Sequence, residues 1–274
     1  ILEKMKKLLL SAFVICLAGT SIAQESPLWM RHCALSPDGT TIAFTYKGDI
    51  YTVPSTGGRA TQITTNPAFD TEPVWSPDSK QIAFASDRMG SLDVFVVSSE
   101  GGAPQRLTTH SGSEKPVACK DNKHILFTAN IAPSAEDAGF PSGQFQQVYE
   151  VAVTGGRPAM FSSMPMECIS INKEGVMLYQ DKKGYEDYWR KHQVSPIARD
   201  IWTYTPGKKP VYQKQTTFGG EDREPVWSPD GKSFYYLSEE KGSFNIFQRT
   251  PGTTTSQQIT FHTKHPVRLS LIHI

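Results

Sequence analysis

The stretch EPVWSPDGKSFYYLSEEKGSFNIFQ (224–248) repeats, with few changes, the earlier stretch EPVWSPDSKQIAFASDRMGSLDVFV (72–96). The Ser-Pro-Asp tripeptide within it begins at Ser36, Ser76 and Ser228. Such WD-like copies, spaced roughly 40 to 60 residues apart, are typical of proteins in which each copy folds as one supersecondary unit. The chain is therefore predicted to be a repeat array.

Two further copies lack the tripeptide but fit between the second and the last complete copies. They are ACKDNKHILF (118–127) and SINKEGVMLY (170–179). Alignment on the strand after the turn puts Cys119 and Ile171 in the place of the serine. A sixth copy begins at HPVRLS (265–270) and stops after one strand.

Each copy has the pattern of four short strands. In the second copy the apolar runs PVWS, QIAFAS, DVFVVS and QRLT are separated by turn sequences rich in Pro, Gly, Ser and Asp. Four antiparallel strands per unit predict an all-β, six-bladed β-propeller with a truncated sixth blade. A β-sandwich is the alternative, but it does not require the tripeptide to recur at this spacing. The blades are expected to begin near residues 31, 72, 114, 166, 224 and 265.

The amino-terminal segment predicts export. After four residues, interpreted as a non-native leader (1–4), residues 5–23 have the charged start, short apolar run and small residues of a secretory signal peptide. The apolar run of about 12 residues is shorter than the ~20 that a spanning helix needs, so no membrane span is expected after cleavage. The propeller is assigned to 24–268, and 269–274 are interpreted as a non-native tail. We expect a periplasmic or extracellular protein.

Charge and cysteine content narrow the classes of partner. The 28 basic and 27 acidic residues nearly balance, which gives no electrostatic reason to expect nucleic acid. After the signal peptide three cysteines remain, Cys33, Cys119 and Cys168. Cys33 and Cys168 are expected in opposite blades, beyond the ~7 Å Cα separation that a disulfide allows, so three buried thiols are predicted. No Cys-x-x-Cys or histidine cluster indicates a metal site, and no cofactor is expected.

Three stretches resemble one family of propellers. PLWMRHCALSPDGTTIAFTYKGDIYTVPSTGG (27–58), YEDYWRKHQVSPIARDIWTY (185–204) and ITFHTKHPVRLS (259–270) are similar to the amino-terminal propeller of tricorn-like proteases, some of which are secreted by bacteria. The resemblance implies a large serine peptidase with a second, seven-bladed propeller, a PDZ-like module and a catalytic region. In that family the nucleophilic serine and its histidine lie mostly in the carboxy-terminal part, and none of them can be placed on this sequence.

The residues themselves predict no catalytic centre. No Gly-x-Ser-x-Gly elbow is present, and the Ser-Pro-Asp segments have the pattern of turns whose side chains cap backbone N–H groups. The acidic pairs Glu221-Asp222 and Glu239-Glu240 lack the spacing of calcium ligands. They are interpreted as solvated loop charges.

A ring of polar residues is predicted from position in the repeat. If the first strand of every blade lines a central tunnel, six residues in the same place form a ring near one mouth of that tunnel. Such a ring is expected to select cationic peptide ends or to orient a passing chain. Alternatively, these residues satisfy backbone groups or pair with neighbouring blades. The six are His32, Glu72, Lys115, Glu167, Glu224 and His265.

Two copies carry long insertions between their second and third strands, at 130–147 and 182–199. Loops of this length are usually functional or disordered. The second insertion is expected to dock against downstream domains of the same chain, with direct peptide contact or simple loop variation as alternatives. The residues expected to make the contact are Tyr185, Tyr188, Trp189, Arg190, Lys191 and His192.

Two hypotheses from different classes follow. The first is a non-catalytic propeller segment of an exported tricorn-like serine peptidase, which gates or guides peptides and docks to downstream catalytic domains. The second is a periplasmic propeller of the Tol type that acts as a protein-binding scaffold. Peptides in transit, the downstream domains and a second copy of the chain are the expected partners.

Overall fold

The computed structural model describes residues 30–131, 145–184 and 194–264. This part of the chain contains twenty strands and no α-helix, which confirms the predicted all-β class. The predicted signal peptide, the start of the sixth copy and the contact residues of the second insertion lie outside the described residues. Across the described ranges, no helix is long and apolar enough to cross a membrane.

The strands form five antiparallel sheets of four, and in each sheet the strands are hydrogen-bonded in chain order. The strands are β1 (Arg31–Leu35), β2 (Thr41–Tyr46), β3 (Asp49–Pro54), β4 (Thr61–Gln62), β5 (Asp70–Trp75), β6 (Gln81–Ser86), β7 (Asp93–Ser98), β8 (Gln105–Arg106), β9 (Lys115–Cys119), β10 (His124–Ala129), β11 (Gln147–Ala152), β12 (Ala159–Ser162), β13 (Met166–Ile171), β14 (Met177–Asp181), β15 (Ile201–Thr205), β16 (Val211–Lys214), β17 (Asp222–Trp227), β18 (Phe234–Ser238), β19 (Asn245–Arg249) and β20 (Ser256–Gln258).

The described residues form a β-propeller of five blades, whereas six were predicted. Its first strands begin at residues 31, 70, 115, 166 and 222, within two residues of the first five predicted starts. The prediction of a sixth blade rested on residues from His265 onward, and these lie outside the described residues. The five complete copies of the repeat therefore account for all five blades.

The first strand of each blade is the innermost. β1 packs against β5, β5 against β9, β9 against β13, and β13 against β17, so consecutive first strands contact one another. The fourth strands lie at the rim, and in β16 every residue is exposed. This radial order follows from the repeat, because each sheet must bury both of its faces against neighbouring blades.

Apolar side chains from adjacent blades fill the junctions between them. At the first junction Ala43, Ile50 and Ile63 pack against Trp75 and Phe84 of the second blade. Burial of each large side chain contributes roughly 1.5–3 kcal/mol. The largest fully buried side chains at the following junctions are Phe127, Tyr179 and Tyr236.

The Ser-Pro-Asp segments form turns that close the first hairpin of a blade. The Ser76 hydroxyl donates to Asp78 Oδ1 over 2.6 Å and accepts from the Gln81 N–H over 2.9 Å. The turns at Ser36 and Ser228 repeat this arrangement, with Ser Oγ to Asp Oδ1 distances of 2.6 and 2.5 Å. The structural interpretation of these residues as local caps is confirmed.

Candidate functional site

The innermost strands each contain a bulge near their beginning. In β5, Glu72 and Pro73 lie opposite the single residue Phe84, between the pairs Thr71↔Ala85 and Val74↔Ala83, so β5 has one extra residue. Proline suits this place because it has no N–H to donate to the ladder. The bulge twists the strand and turns its residues away from regular pairing.

The first bulge residue adopts a left-handed backbone in four blades, although none of the four is glycine. This conformation costs a residue with a Cβ atom roughly 1–2 kcal/mol, and it is retained only where the surrounding structure demands it. The residues are His32 (φ 49°), Glu72 (φ 55°), Cys168 (φ 52°) and Glu224 (φ 54°).

The predicted ring has its register wrong by one residue in the third and fourth blades. The turn after β9 is closed by Lys120 N–H to His124 O and the turn after β13 by Asn172 N–H to Val176 O, whereas Ser76 pairs with Gln81. Both turns are one residue shorter than a Ser-Pro-Asp turn. Alignment on the second strand therefore put Cys119 and Ile171 in the place of the serine, whereas the structure puts Lys120 and Asn172 there.

The equivalents of Glu72 in the third and fourth blades are Pro116 and Cys168, counted back from the residue whose N–H closes the turn of each first hairpin. Lys115 and Glu167 stand one residue earlier, where Lys115 pairs with Thr128 and Glu167 with Gln180. His265 lies outside the described residues. The tunnel-lining role of the predicted residues stays a prediction.

The described members of the predicted ring and Cys168 come from five inner strands and lie near one another. We call this set the inner-strand cluster. Lys115 Nζ lies 2.7 Å from Glu72 Oε1 and so joins the second and third blades. The charges of Glu72 and Lys115 both act on His32, and those of Glu72, Glu167 and Glu224 act on Cys168. The members are His32, Glu72, Lys115, Glu167, Cys168 and Glu224.

Glu167 accepts several bonds from the stem of the second insertion. Its carboxylate lies 3.0 Å from Lys182 Nζ and 3.3 Å from Arg199 Nε. The amide of Gln180 donates to the same carboxylate over 3.0 Å. Burial raises the pKa of Glu167, but the bonds from Lys182 and Gln180 and the charge of Arg199 outweigh it, so the pKa lies below its ordinary value.

Glu224 contrasts with Glu167. Its backbone N–H donates to Gln180 Oε1 over 2.8 Å, but its carboxylate has no hydrogen bond or ion pair with any described residue. Burial raises the pKa of Glu224, and the charge of Arg223 only partly opposes this. The residue as a whole is half-buried. The backbone of Glu224 is thus fixed, while its carboxylate can accept a hydrogen bond from a ligand.

Cys168 is a thiol that sequence analysis placed in the core. All three cysteines are free, as predicted, but the prediction that they are buried is wrong: Cys33 and Cys119 are half-buried and Cys168 is exposed to solvent. Desolvation within the surrounding protein, together with the charges of Glu224 and Glu167, raises its pKa to about 12. Cys168 thus has solvent access although protein surrounds it closely.

Three of the acidic residues interpreted as solvated are buried. Glu221, Asp222 and Glu239 are only 6%, 1% and 4% exposed. Glu221 and Asp222 lie at the start of β17, which packs against β14 of the preceding blade. Arg199 Nη1 lies 3.4 Å from Glu221 Oε1. The interpretation of these three residues as solvated loop charges is therefore wrong, because the polar sequence around them does not record their burial between blades.

The two insertions occupy the predicted place. The first lies between β10 and β11 and the second between β14 and β15, which are the second and third strands of adjacent blades. The contact residues predicted in the second insertion, from Tyr185 to His192, lie outside the described residues. Its stem residues Lys182 and Arg199 were missed as site residues, although they are the two ends of the insertion.

A family model and a curated relative both place the chain among the propellers of tricorn proteases. Residues 27–272 match the tricorn protease N-terminal β-propeller domain. Tricorn protease homolog 1 of Streptomyces coelicolor is 39% identical over 214 residues, which are 77% of this chain and 19% of that protein. The chain spans less than a fifth of the length of the first curated peptidases that it matches.

Solved structures share the fold at low sequence identity. The crystal structure of the tricorn protease superposes with a TM-score of 0.70 at 17% identity, over 88% of this chain and 23% of that one. TolB from Acinetobacter baumannii superposes with a TM-score of 0.60 at 15% identity, over 84% of this chain and 52% of that one. These likenesses show the propeller fold alone.

Proposed function

The chain belongs to the tricorn protease N-terminal β-propeller family, and from this premise we propose that it is the non-catalytic propeller of an exported tricorn-like serine peptidase. In this role it guides peptides along the ring of inner strands and docks to downstream catalytic domains. The observation that carries the proposal is the family match over residues 27–272, which includes the inner-strand cluster and both insertions.

The arrangement of side chains supports a guiding role rather than chemistry. Among the described residues, no serine or threonine hydroxyl is hydrogen-bonded to a histidine ring, which is the contact a Ser-His nucleophile needs. The inner-strand cluster instead presents charged and polar groups on strained bulges. Such groups act by attracting and orienting a passing chain.

Two apolar faces support a sixth blade in the complete propeller. Leu35 takes the place in the first blade that Trp75 takes in the second, yet it is 39% exposed while Trp75 is 7% exposed. Val226 of the fifth blade is also 39% exposed, whereas its equivalent Ala118 is 6% exposed against the fourth blade. A blade seated between these faces would bury both, as each existing junction does.

The second candidate function is a periplasmic protein-binding scaffold of the Tol type. Its support is that the chain superposes on TolB, which is a likeness of fold. The family match and the anchored insertion favour the peptidase, because a compact scaffold has no need of a long insertion tied to its inner strands. Export to the periplasm or the extracellular space is part of both proposals.

The test is a comparison of this chain with the full-length product of its locus. Peptidase activity is measured on unfolded casein and on short fluorogenic peptides. We expect hydrolysis by the full-length protein and none by this chain. Hydrolysis by this chain, or none by either protein, would contradict the proposal, and the second result would favour the scaffold.

A further inference from the structure

We propose that the carboxylate of Glu224 is a receptor for a positively charged amine of a peptide, either its amino-terminal ammonium or a lysine side chain. The inference rests on the proposed function, because it requires peptides to enter the ring of inner strands. It adds the chemical class of ligand and the residue that binds it.

The first argument is that the cations of the inner-strand cluster and of the insertion stem, and the guanidinium of Arg223, are already engaged by other groups. Lys182 and Arg199 bind the carboxylate of Glu167. Lys115 binds Glu72 over 2.7 Å. The guanidinium of Arg223 lies over the Phe244 ring, 3.9 Å from its centroid. No described residue donates a hydrogen bond to Glu224, so a half-buried acceptor remains in need of a cation.

The second argument is that Glu224 is held in place. Its left-handed backbone, with φ of 54°, is fixed by the bond from its N–H to Gln180 Oε1. Gln180 is itself 5% exposed, and its amide nitrogen is bound to Glu167 over 3.0 Å. The bonds of Gln180 therefore join the Glu167 ion pairs to the Glu224 bulge. A preorganised acceptor of this kind binds a donor with little further ordering.

The third argument concerns the sign of the charge. Two cluster members favour their neutral forms, because desolvation lowers the pKa of His32 and raises that of the Cys168 thiol to about 12. Glu224 thus contributes a negative charge that has no ion-pair partner among the described residues, although the charge of Arg223 also acts on it. An ammonium is attracted to this place, and a peptide carboxylate is repelled from it.

The binding experiment uses three alanine pentapeptides labelled with fluorescein at the carboxyl end. One has a free amino terminus, one is acetylated, and one is acetylated and carries a central lysine. Fluorescence anisotropy with this chain measures each Kd. We expect the acetylated peptide without lysine to bind at least tenfold more weakly than the free-amine peptide. Tight binding of the third peptide would show that a lysine side chain also serves.

The variant Glu224→Gln keeps the shape of the side chain and removes its charge. It is expected to abolish the tenfold preference for an amine. Glu174→Gln changes the net charge equally at an exposed turn residue and is expected to keep the preference. Equal binding of the free-amine peptide to the Glu224→Gln variant and the unaltered chain would overturn the inference.

The rate at which Cys168 is alkylated tests whether the variant is folded and whether residue 224 lies beside Cys168. Removal of the neighbouring negative charge should speed alkylation of Cys168 by iodoacetamide severalfold, as followed by peptide mass spectrometry. Cys119 is the internal control, because its raised pKa is caused by burial and by Asp121 and Asp78 rather than by Glu224. An unchanged Cys168 rate would contradict the proposed geometry.

The outcomes separate this inference from the proposed function. Equal binding of all three peptides to the unaltered chain would overturn the amine receptor and leave peptide entry supported. Binding of none of the peptides at millimolar concentration would overturn both. A preference for an amine that depends on Glu224 would support both.

Discussion

The indole N–H of Trp75 donates a hydrogen bond to the carbonyl oxygen of Ala34, which is 2.9 Å away in the preceding blade. Trp227 makes the corresponding link in the fifth blade, from its Nε1 to the carbonyl oxygen of Val176 over 3.1 Å. The tryptophan of the repeated PVWS motif therefore joins blades as well as filling the core. This explains why the two best copies of the repeat share it.

Trp75→Phe is expected to lower the free energy of unfolding by about 1–3 kcal/mol, because the Ala34 carbonyl loses its donor at a buried junction. Urea unfolding followed by circular dichroism measures the change. Phe261→Ala, at a side chain that is 74% exposed, is the control and should change stability by less than ~0.5 kcal/mol. Equal stability of Trp75→Phe and the unaltered chain would show that the hydrogen bond contributes nothing.

Asp70→Asn should destabilise the junction of the first two blades. Asp70 is fully buried, and Arg88 Nη2 lies 3.0 Å from both of its carboxylate oxygens. Loss of the negative charge leaves the guanidinium unpaired in a nearly buried place, at a cost of about 3–5 kcal/mol. Chemical denaturation at constant pH measures the difference.

Two comparisons make the Asp70 prediction specific. The double variant Asp70→Asn with Arg88→Met should recover part of the loss, because the unpaired charge is gone. Glu240→Gln breaks an exposed pair with Lys241, 3.3 Å long, and should cost less than ~1 kcal/mol. A loss at Asp70 no larger than that at Glu240 would refute the importance of burial.

Asp222 is expected to make stability depend on pH. Burial raises its pKa to about 7; hydrogen bonds from Ser238 and Thr216 oppose this, and the charges of Asp200 and Glu240 add to it. The folded chain then binds a proton that the unfolded chain releases near its ordinary pKa of 3.8. Stability from this group is fully present below about pH 4 and is lost as the pH rises toward 7.

Asp222→Asn should remove that dependence, so the variant gains stability over the unaltered chain between pH 5 and pH 8, by at most roughly 4 kcal/mol. Unfolding free energies at both pH values provide the measurement. Asp38 supplies a control of opposite sign, because hydrogen bonds from Ser36 and Thr40 lower its pKa to about 2. Its contribution is lost as the pH falls from about 4 toward 2. A difference between the Asp222 variant and the unaltered chain that stays constant from pH 5 to pH 8 would disprove the assignment.

The sequence predicted the repeated blades and the two insertions, but not the bulge residue Cys168 or the buried charges between blades. The Ser-Pro-Asp turns located three blades, alignment on the following strand located two more, and the strand pattern located both insertions. The bulge residue Cys168 was missed because the turn after β13 is one residue shorter than that at Ser76. Buried charges such as Asp222 were missed because burial at a blade junction depends on the neighbouring blade, which no local pattern records.

One recurring residue was visible in the quoted motifs but its role was not. The runs QIT, RLT, KQT and QIT at the fourth strand each end in a threonine. In four blades this threonine hydroxyl accepts a hydrogen bond from a backbone N–H near the start of the third strand, over 2.9–3.0 Å. The pairs are Thr64 with Ile50, Thr108 with Val94, Thr216 with Ile201 and Thr260 with Ile246.

Thr108→Val is therefore expected to destabilise the second blade by about 1–3 kcal/mol, although valine has nearly the same shape as threonine. Thr108 and Val94 are 1% and 0% exposed, so water cannot replace the lost acceptor. Thr108→Ser keeps the hydroxyl and should cost less than Thr108→Val. Urea unfolding gives the free energies, and hydrogen exchange of the Val94 amide should accelerate in the valine variant. If the valine and serine variants were equally stable and equally protected at Val94, the threonine would serve only as packing.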